Sequence, residues 1–300
     1  MTQPTLAIFA NFLIDNEERF QRMKDSFNSF KDAKPNQWVV NIRGSYKDEA
    51  GDFLKKELGE KVSISYLQSK KGWAHDSNVI LKKITTNYLL SWVEDQILIA
   101  SPEALNSCVS EMNKYKVDQL WYSWFTFFTN KQFSVIKPEK IGDSITVQKI
   151  DFNACAKIRD EMKKYRTYKY LKDVYIVSLT SIMSKEFFKK ILNSPKPCLK
   201  RWNMSLPFNF EKRSKDKVVP VIWHAVSKKE LFVPIDDDAN EPGYSLISRG
   251  LYPNRVSREE MKKIEFASKK LWMVVLIKIT PKPIRKLGLF VKRIFWTLNI

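Results

Sequence analysis

The chain has 300 residues, 44% hydrophobic and 28% charged, with 8 Gly and 13 Pro, which excludes disordered, collagenous and low-complexity classes. Its 52 Lys and Arg against 33 Asp and Glu leave a formal net charge of +19. Such an excess calls for an anionic partner: a phosphorylated substrate, a lipid surface or nucleic acid. Cys108, Cys155 and Cys198 are too widely spaced for a disulfide framework or a CxxC metal site, so a reducing, cytoplasmic compartment is expected.

The apolar run over 6–14 is interrupted by Asn11 and has no basic leader before it, so it reads as a buried strand (6–12) and not an export signal. A helix follows over 15–30, with Phe20, Met23, Phe27 and Phe30 on one face. Strands are predicted over 38–42, ending at Gly44, and over 62–67 and 88–93, with helices over 46–58 and 76–84 between them. Ser101-Pro102-Glu103 starts another helix, Ser as N-cap and Pro at the first helical position. Residues 119–128 look like a long aromatic strand. This alternation predicts an α/β fold with a mostly parallel sheet covered on both faces.

The second half is less regular. Strands are predicted over 145–150, 175–182 and 218–224 and helices over 157–172 and 185–192, with Pro195, Pro197 and Pro207 marking an irregular stretch. No uncharged apolar run is long enough to span a membrane. One continuous fold over 1–265, in halves 1–130 and 131–265, is expected to precede a distinct tail over 266–300. Residues 271–300 carry six basic side chains and no acidic one. Beyond Pro283, Ile284, Leu287, Phe290, Val291, Ile294, Phe295 and Leu298 fall on one helical arc, and Arg285, Lys286, Lys292 and Arg293 on the other. That pattern predicts an amphipathic helix lying on an anionic membrane surface.

The strand over 88–93 runs into Glu94-Asp95. Two adjacent carboxylates are costly to bury, so they belong at the strand's carboxyl end, where open α/β sheets bind ligands. There they can hold a divalent cation whose remaining positions go to phosphate oxygens, or simply cap the next segment. Asp236-Asp237-Asp238 is a second acidic run in otherwise basic surroundings, and Glu211 stands alone in an aromatic stretch. The only histidines are His75 and His224, the latter following the apolar run over 218–223.

The order strand, helix, strand, helix, strand, helix, strand, acid pair resembles the nucleotide-sugar half of GT-A-type glycosyltransferases, particularly the family-2-like group. Val39-Val40-Asn41-Ile42-Arg43-Gly44-Ser45 is similar to that family's second-strand end, where an acid–Gly–Ser turn holds the base. Gly72-Trp73-Ala74-His75-Asp76-Ser77-Asn78 resembles its Gly-x-Ala-x-x-x-Asn segment, and Glu94-Asp95 stands where its DXD metal motif sits. The resemblance covers about residues 5–130, and more weakly reaches 235. It implies a GT-A-like fold and transfer of a sugar, with inversion, from a nucleotide-sugar donor. Asn11, Arg43, Asp76 and Glu94 would line the nucleotide. Asp95, with His224, would hold Mn²⁺ or Mg²⁺. Glu211 would serve as catalytic base, with Asp236, Asp237 and Asp238 as rivals. Together with the basic tail, it implies a lipid-linked or surface-polysaccharide acceptor at the inner face of a membrane. Two departures stand: Arg43 replaces the base-holding acid, and Glu94-Asp95-Gln96 is not a full DXD. A nucleic-acid-binding protein and a non-catalytic membrane scaffold on the same fold are the rival classes. The first lacks any recognisable nucleic-acid motif, and no nucleic-acid partner is expected.

Overall fold

The computed structural model describes residues 5–121, 133–163, 176–193, 207, 210–211, 221–236, 243–256 and 260. The chain divides into two units, Met1–Tyr252 and Pro253–Ile300. The described part of the second is residues 253–256, where Arg255 N–H donates to Pro253 O at 3.1 Å, and residue 260. The expected basic helix over 284–300, the far end of the aromatic strand, Cys198, Asp237 and Asp238 lie outside the described residues. Among the described residues no helix is long and apolar enough to cross a membrane.

In the first unit the chain alternates β1 (Leu6–Leu13), α1 (Glu17–Phe30), β2 (Gln37–Arg43), α2 (Lys47–Leu58), β3 (Val62–Ser65), α3 (Trp73–Leu81) and β4 (Tyr88–Ser91). It continues through β5 (Gln96–Leu98), α4 (Pro102–Tyr115), β6 (Gln119–Trp121), β7 (Lys140–Ile141), β8 (Ile145–Asp151) and α5 (Phe152–Lys163). The last elements are β9 (Ser181–Ser184), α6 (Lys185–Leu192), β10 (Val221–Ser227) and β11 (Phe232–Pro234). Side-chain caps set several helix starts: Asn16 accepts from Arg19 N–H, Ser101 from Ala104 N–H and Ser184 from Phe187 N–H.

Nine strands form one sheet in the order β3-β2-β1-β4-β9-β6-β10-β8-β7. Strands β3, β2, β1 and β4 are mutually parallel, while β9 pairs antiparallel with both β4 and β6. β10 is parallel to β6 and antiparallel to β8. The expected mostly parallel α/β sheet is therefore present, with β9 and β8 as reversed members. One face buries Phe27, Phe30, Trp38 and Trp92 under α1, α2 and α4. The other buries Trp73, Ile158, Phe188 and Phe210 under α3, α5 and α6.

Several predicted bounds move. α3 begins at Trp73, three residues before the expected start, because Gly72 (φ 88°) supplies the non-helical residue ahead of it. α5 begins at Phe152, where Asp151 Oδ1 accepts from Ala154 N–H at 2.9 Å. β9 is confined to Ser181–Ser184, and β10 runs three residues past its expected end, to Ser227. β5, β7 and β11 are too short to show a period in sequence.

Candidate active site

The carboxyl edge of β1, β2 and β4 gathers most of the expected site residues, in two groups. The acid group follows β4. All four β4 residues are buried, and Trp92 N–H still donates to Phe9 O at 2.8 Å. Glu94 and Asp95 then turn out of the sheet before the chain returns as β5. Two serines of α1 fix that return: Ser26 Oγ donates to Gln96 O at 2.5 Å, and Ser29 Oγ accepts from Leu98 N–H at 3.0 Å. β5 pairs with β11, and Ile235 N–H donates to Asp95 O at 2.7 Å. This places Asp236 beside the acid pair.

Two arginines of α1 answer these carboxylates. Arg19 lies 3.4 Å from Asp15 and 3.9 Å from Glu94. Arg22, only 4% exposed, ion-pairs with Glu18 at 2.9 Å and with Asp236 at 2.6 Å. Burial opposes the Arg22 charge, but the Glu18 and Asp236 hydrogen bonds outweigh it and raise its pKa. Burial raises Glu94 as well, against the pull of Arg19. Asp95 is pushed up to about 7, chiefly by burial and then by the charges of Glu94 and Asp236, with Arg22 opposing. Arg22 was missed in sequence. Its one available signal was the Glu18–Arg22 spacing, which places opposite charges one helical turn apart.

Glu211 joins the same edge from the other face. Its Oε1 accepts from Leu179 N–H at 2.8 Å and from Ser178 Oγ at 3.3 Å. Because β9 is antiparallel to β4, with Leu90 opposite Ile182, the segment 178–180 leading into β9 lies at the carboxyl end of β4. Neighbouring Phe210 packs at a tilt on Phe188 at 5.0 Å and meets Trp73 edge-on at 6.1 Å, fixing this short helical turn to α3 and α6. Burial raises the Glu211 pKa, and its two hydrogen bonds oppose the rise.

The second group lies on the α3 face of β1 and β2. Asn11, expected to line the nucleotide, is committed to the scaffold. Its Nδ2 donates to Trp73 O (3.1 Å) and Ser77 Oγ (2.9 Å), and its Oδ1 accepts from Asn41 Nδ2 (2.9 Å). It thereby ties α3 to the sheet beneath the site. Asp76 is 2% exposed; Oδ2 accepts from Ser69 N–H at 3.1 Å, and Oδ1 lies 3.3 Å from His75 Nδ1. Arg43 closes β2 beside Gly44. That glycine takes φ +103°, and a Cβ there would lie 2.2 Å from Ile14 O, so no side chain fits the turn.

His224 does not join either group. The longer β10 makes it a mid-strand residue, 0% exposed, registered with Gln119 on one side and Gln148 on the other. Through Gln119 and Met183 it stands level with Leu89, well before Glu94. β10 is three strands from β4, a separation of about 14 Å at normal strand spacing. Its ring packs on Phe133 at 4.3 Å, and burial lowers its pKa to about 3. The expected Asp95–His224 metal pair is corrected accordingly. Among the described residues no three His, Cys, Asp or Glu side chains form a metal cage. Glu94 and Asp95 alone still suit an ion of the Mg²⁺ type, which takes one or two carboxylates from protein and fills its other positions from substrate phosphates and water.

No model of a protein family matches the chain, and no curated protein matches it. Among solved structures it is similar to S. aureus TarS 1–349, with 16% identity, a TM-score of 0.47, and 76% of this chain covered. The match spans 59% of that TarS chain. The same fragment in complex with UDP gives 14% identity, a TM-score of 0.43 and the same shares of both chains. The mannosyltransferase PcManGT from Pyrobaculum calidifontis, in complex with GDP-Man and Mn²⁺, gives 14% identity and a TM-score of 0.34 over 39% of this chain and 35% of that one.

Proposed function

We propose that the chain is a nucleotide-sugar-dependent glycosyltransferase of the GT-A type. The observation that carries this reading is the shared sheet edge. An acid pair leaves β4 beside a buried arginine, Glu211 is anchored at the carboxyl end of the same strand through Leu179 and Ser178, and Arg43 and Asp76 stand beyond β1. A sugar transfer needs these two regions adjacent: one to hold a nucleotide and one to handle the charge of its departing diphosphate. Glu94 and Asp95 would hold a divalent ion, and that ion, when bound, neutralises the leaving diphosphate. Arg19 and Arg22 hold the carboxylates in place around it.

Glu211 is the proposed base. It takes the acceptor hydroxyl's proton as that oxygen attacks the anomeric carbon, a single displacement that inverts the centre. A carboxyl whose pKa is raised by burial is better matched to this task near neutral pH than an exposed one. Glu211→Gln is expected to lower turnover by ~10²–10⁴-fold with donor affinity nearly unchanged. Initial rates at saturating donor, alongside donor titration, check this.

The acceptor is proposed to be a lipid-linked or surface-polysaccharide intermediate, met at an anionic membrane by the basic tail. Each Lys or Arg near such a surface contributes on the order of 1 kcal/mol. Changing Arg285, Lys286, Lys292 and Arg293 to Gln is therefore expected to release the protein from anionic vesicles at moderate salt, as co-sedimentation would show. Thermal unfolding with nucleoside diphosphates and Mg²⁺ or Mn²⁺ tests the whole reading. A ligand well above its Kd stabilises the folded chain by ~2–4 kcal/mol, and a panel without any stabilisation refutes the assignment.

A further inference from the structure

At the carboxyl edge, Leu13 of β1 and Arg43 of β2 are register partners on the α3 face. Leu13 is 40% exposed, a bare apolar wall. The hydrogen-bonding groups around them are already in use. Asn11 and Asn41 bond each other, α3 and the backbone of Leu67. Both oxygens of buried Asp76 face donors, Ser69 N–H and His75 Nδ1. Arg43 differs: its Nε is buried and has no hydrogen-bond partner. Burial works against its charge, and Asp76 supplies the one attraction that offsets it. Leaving that donor unpaired is costly, and the outer nitrogens of this half-buried guanidinium stay open to a ligand that brings acceptors.

A guanidinium has donors only, set in a planar fork that fits two neighbouring acceptors at once. The nucleobases differ on this point. Guanine offers O6 beside N7, and cytosine offers O2 beside N3. Uracil has N3–H between two carbonyls and needs an acceptor at that centre. Adenine places N1 and N7 beside its amino group and leaves N3 without a second acceptor next to it on the ring edge. Given the transferase reading, we propose that Arg43 selects the donor's nucleobase, favouring a cytosine or guanine nucleotide over a uracil or adenine one. Leu13 gives the base an apolar contact, and Arg43 reads its paired acceptors.

The test is calorimetric titration of the full chain, in Mg²⁺, with CDP, GDP, UDP and ADP. CDP or GDP is expected to bind at least about tenfold more tightly than UDP and ADP, the scale of one bidentate contact. The CDP and GDP arms distinguish a pyrimidine from a purine donor. Arg43→Asp replaces donors by acceptors and is expected to move the preference to UDP. Arg43→Lys keeps the charge without the fork and is expected to flatten the preference while binding persists. These ratios between ligands are insensitive to a uniform loss of stability, and circular dichroism confirms folding of each variant. UDP binding tightest to the native chain, or equal affinities for all four, overturns the proposal and leaves the transferase reading intact. Arg43→Asp weakening all four by one factor also overturns it, assigning Arg43 to the diphosphate. Absence of binding by all four removes both.

Discussion

Asp95→Asn is expected to abolish most transfer and, at the same time, to make the protein more stable above neutral pH. The catalytic loss follows from removing a carboxylate of the proposed cation site, on the order of 10²–10³-fold in turnover. The stability gain follows from the sign of the Asp95 shift. Its carboxyl is raised from an ordinary 3.8 to about 7 in the folded chain, first by burial and then by Glu94 and Asp236. Across that window the folded state binds more protons than the unfolded one, so this carboxyl favours folding at low pH. That contribution is lost as pH rises through about 7, and above it the buried charge opposes folding in full. Asn carries no such charge. With the partial exposure of the loop discounted, the variant should gain about 1–2 kcal/mol at pH 8 and little at pH 4. Urea unfolding at the two pH values and initial rates measure both halves. Native turnover in the variant would place Asp95 outside the chemistry.

Arg22→Ala carries the largest expected loss of stability, about 3–5 kcal/mol. Arg22 is 4% exposed and Glu18 8%, so the truncation leaves a buried carboxylate without its counter-charge. It also releases Asp236, held at 2.6 Å by the same guanidinium. Pairing Arg22→Met with Glu18→Gln removes both charges together and should recover part of the loss. Chemical denaturation of the single and double variants measures the difference. A loss below about 1 kcal/mol for Arg22→Ala would mean the triad behaves as an exposed surface pair.

Most of the first 115 residues were readable because β1, β2 and β4 are buried on both faces and α1 and α4 repeat their apolar residues at helical spacing. The position of Glu94-Asp95 followed from the same logic, since an apolar strand has nowhere to put two carboxylates except its end. His224 was misplaced by three residues of strand. The apolar run was visible, but Ala225, Val226 and Ser227 continue it, turning an edge histidine into an interior one. Asn11 interrupts an apolar run, and its sequence could not say whether the amide meets a ligand or a neighbouring backbone; Trp73 and Ser77 decide that from 62 and 66 residues away. The placement of Glu211 at the carboxyl end of β4 depends on β9 running antiparallel to β4, a relation with no local signature.

The placement of β9 also bears on how the chain reaches its fold during synthesis. β4 ends at Ser91, yet the strand that covers its free side begins at Ser181. Until that later segment emerges from the ribosome, the nascent chain carries an apolar β4 with one row of N–H and C=O groups unpaired. Such an edge is a template for pairing with other chains. Closing it requires a loop of about ninety residues, a long-range contact of the kind that slows folding and exposes intermediates to aggregation. The first four strands of the sheet are therefore complete as a sequence pattern by Ser91 but not as a folding unit, and their expression alone would yield an open sheet.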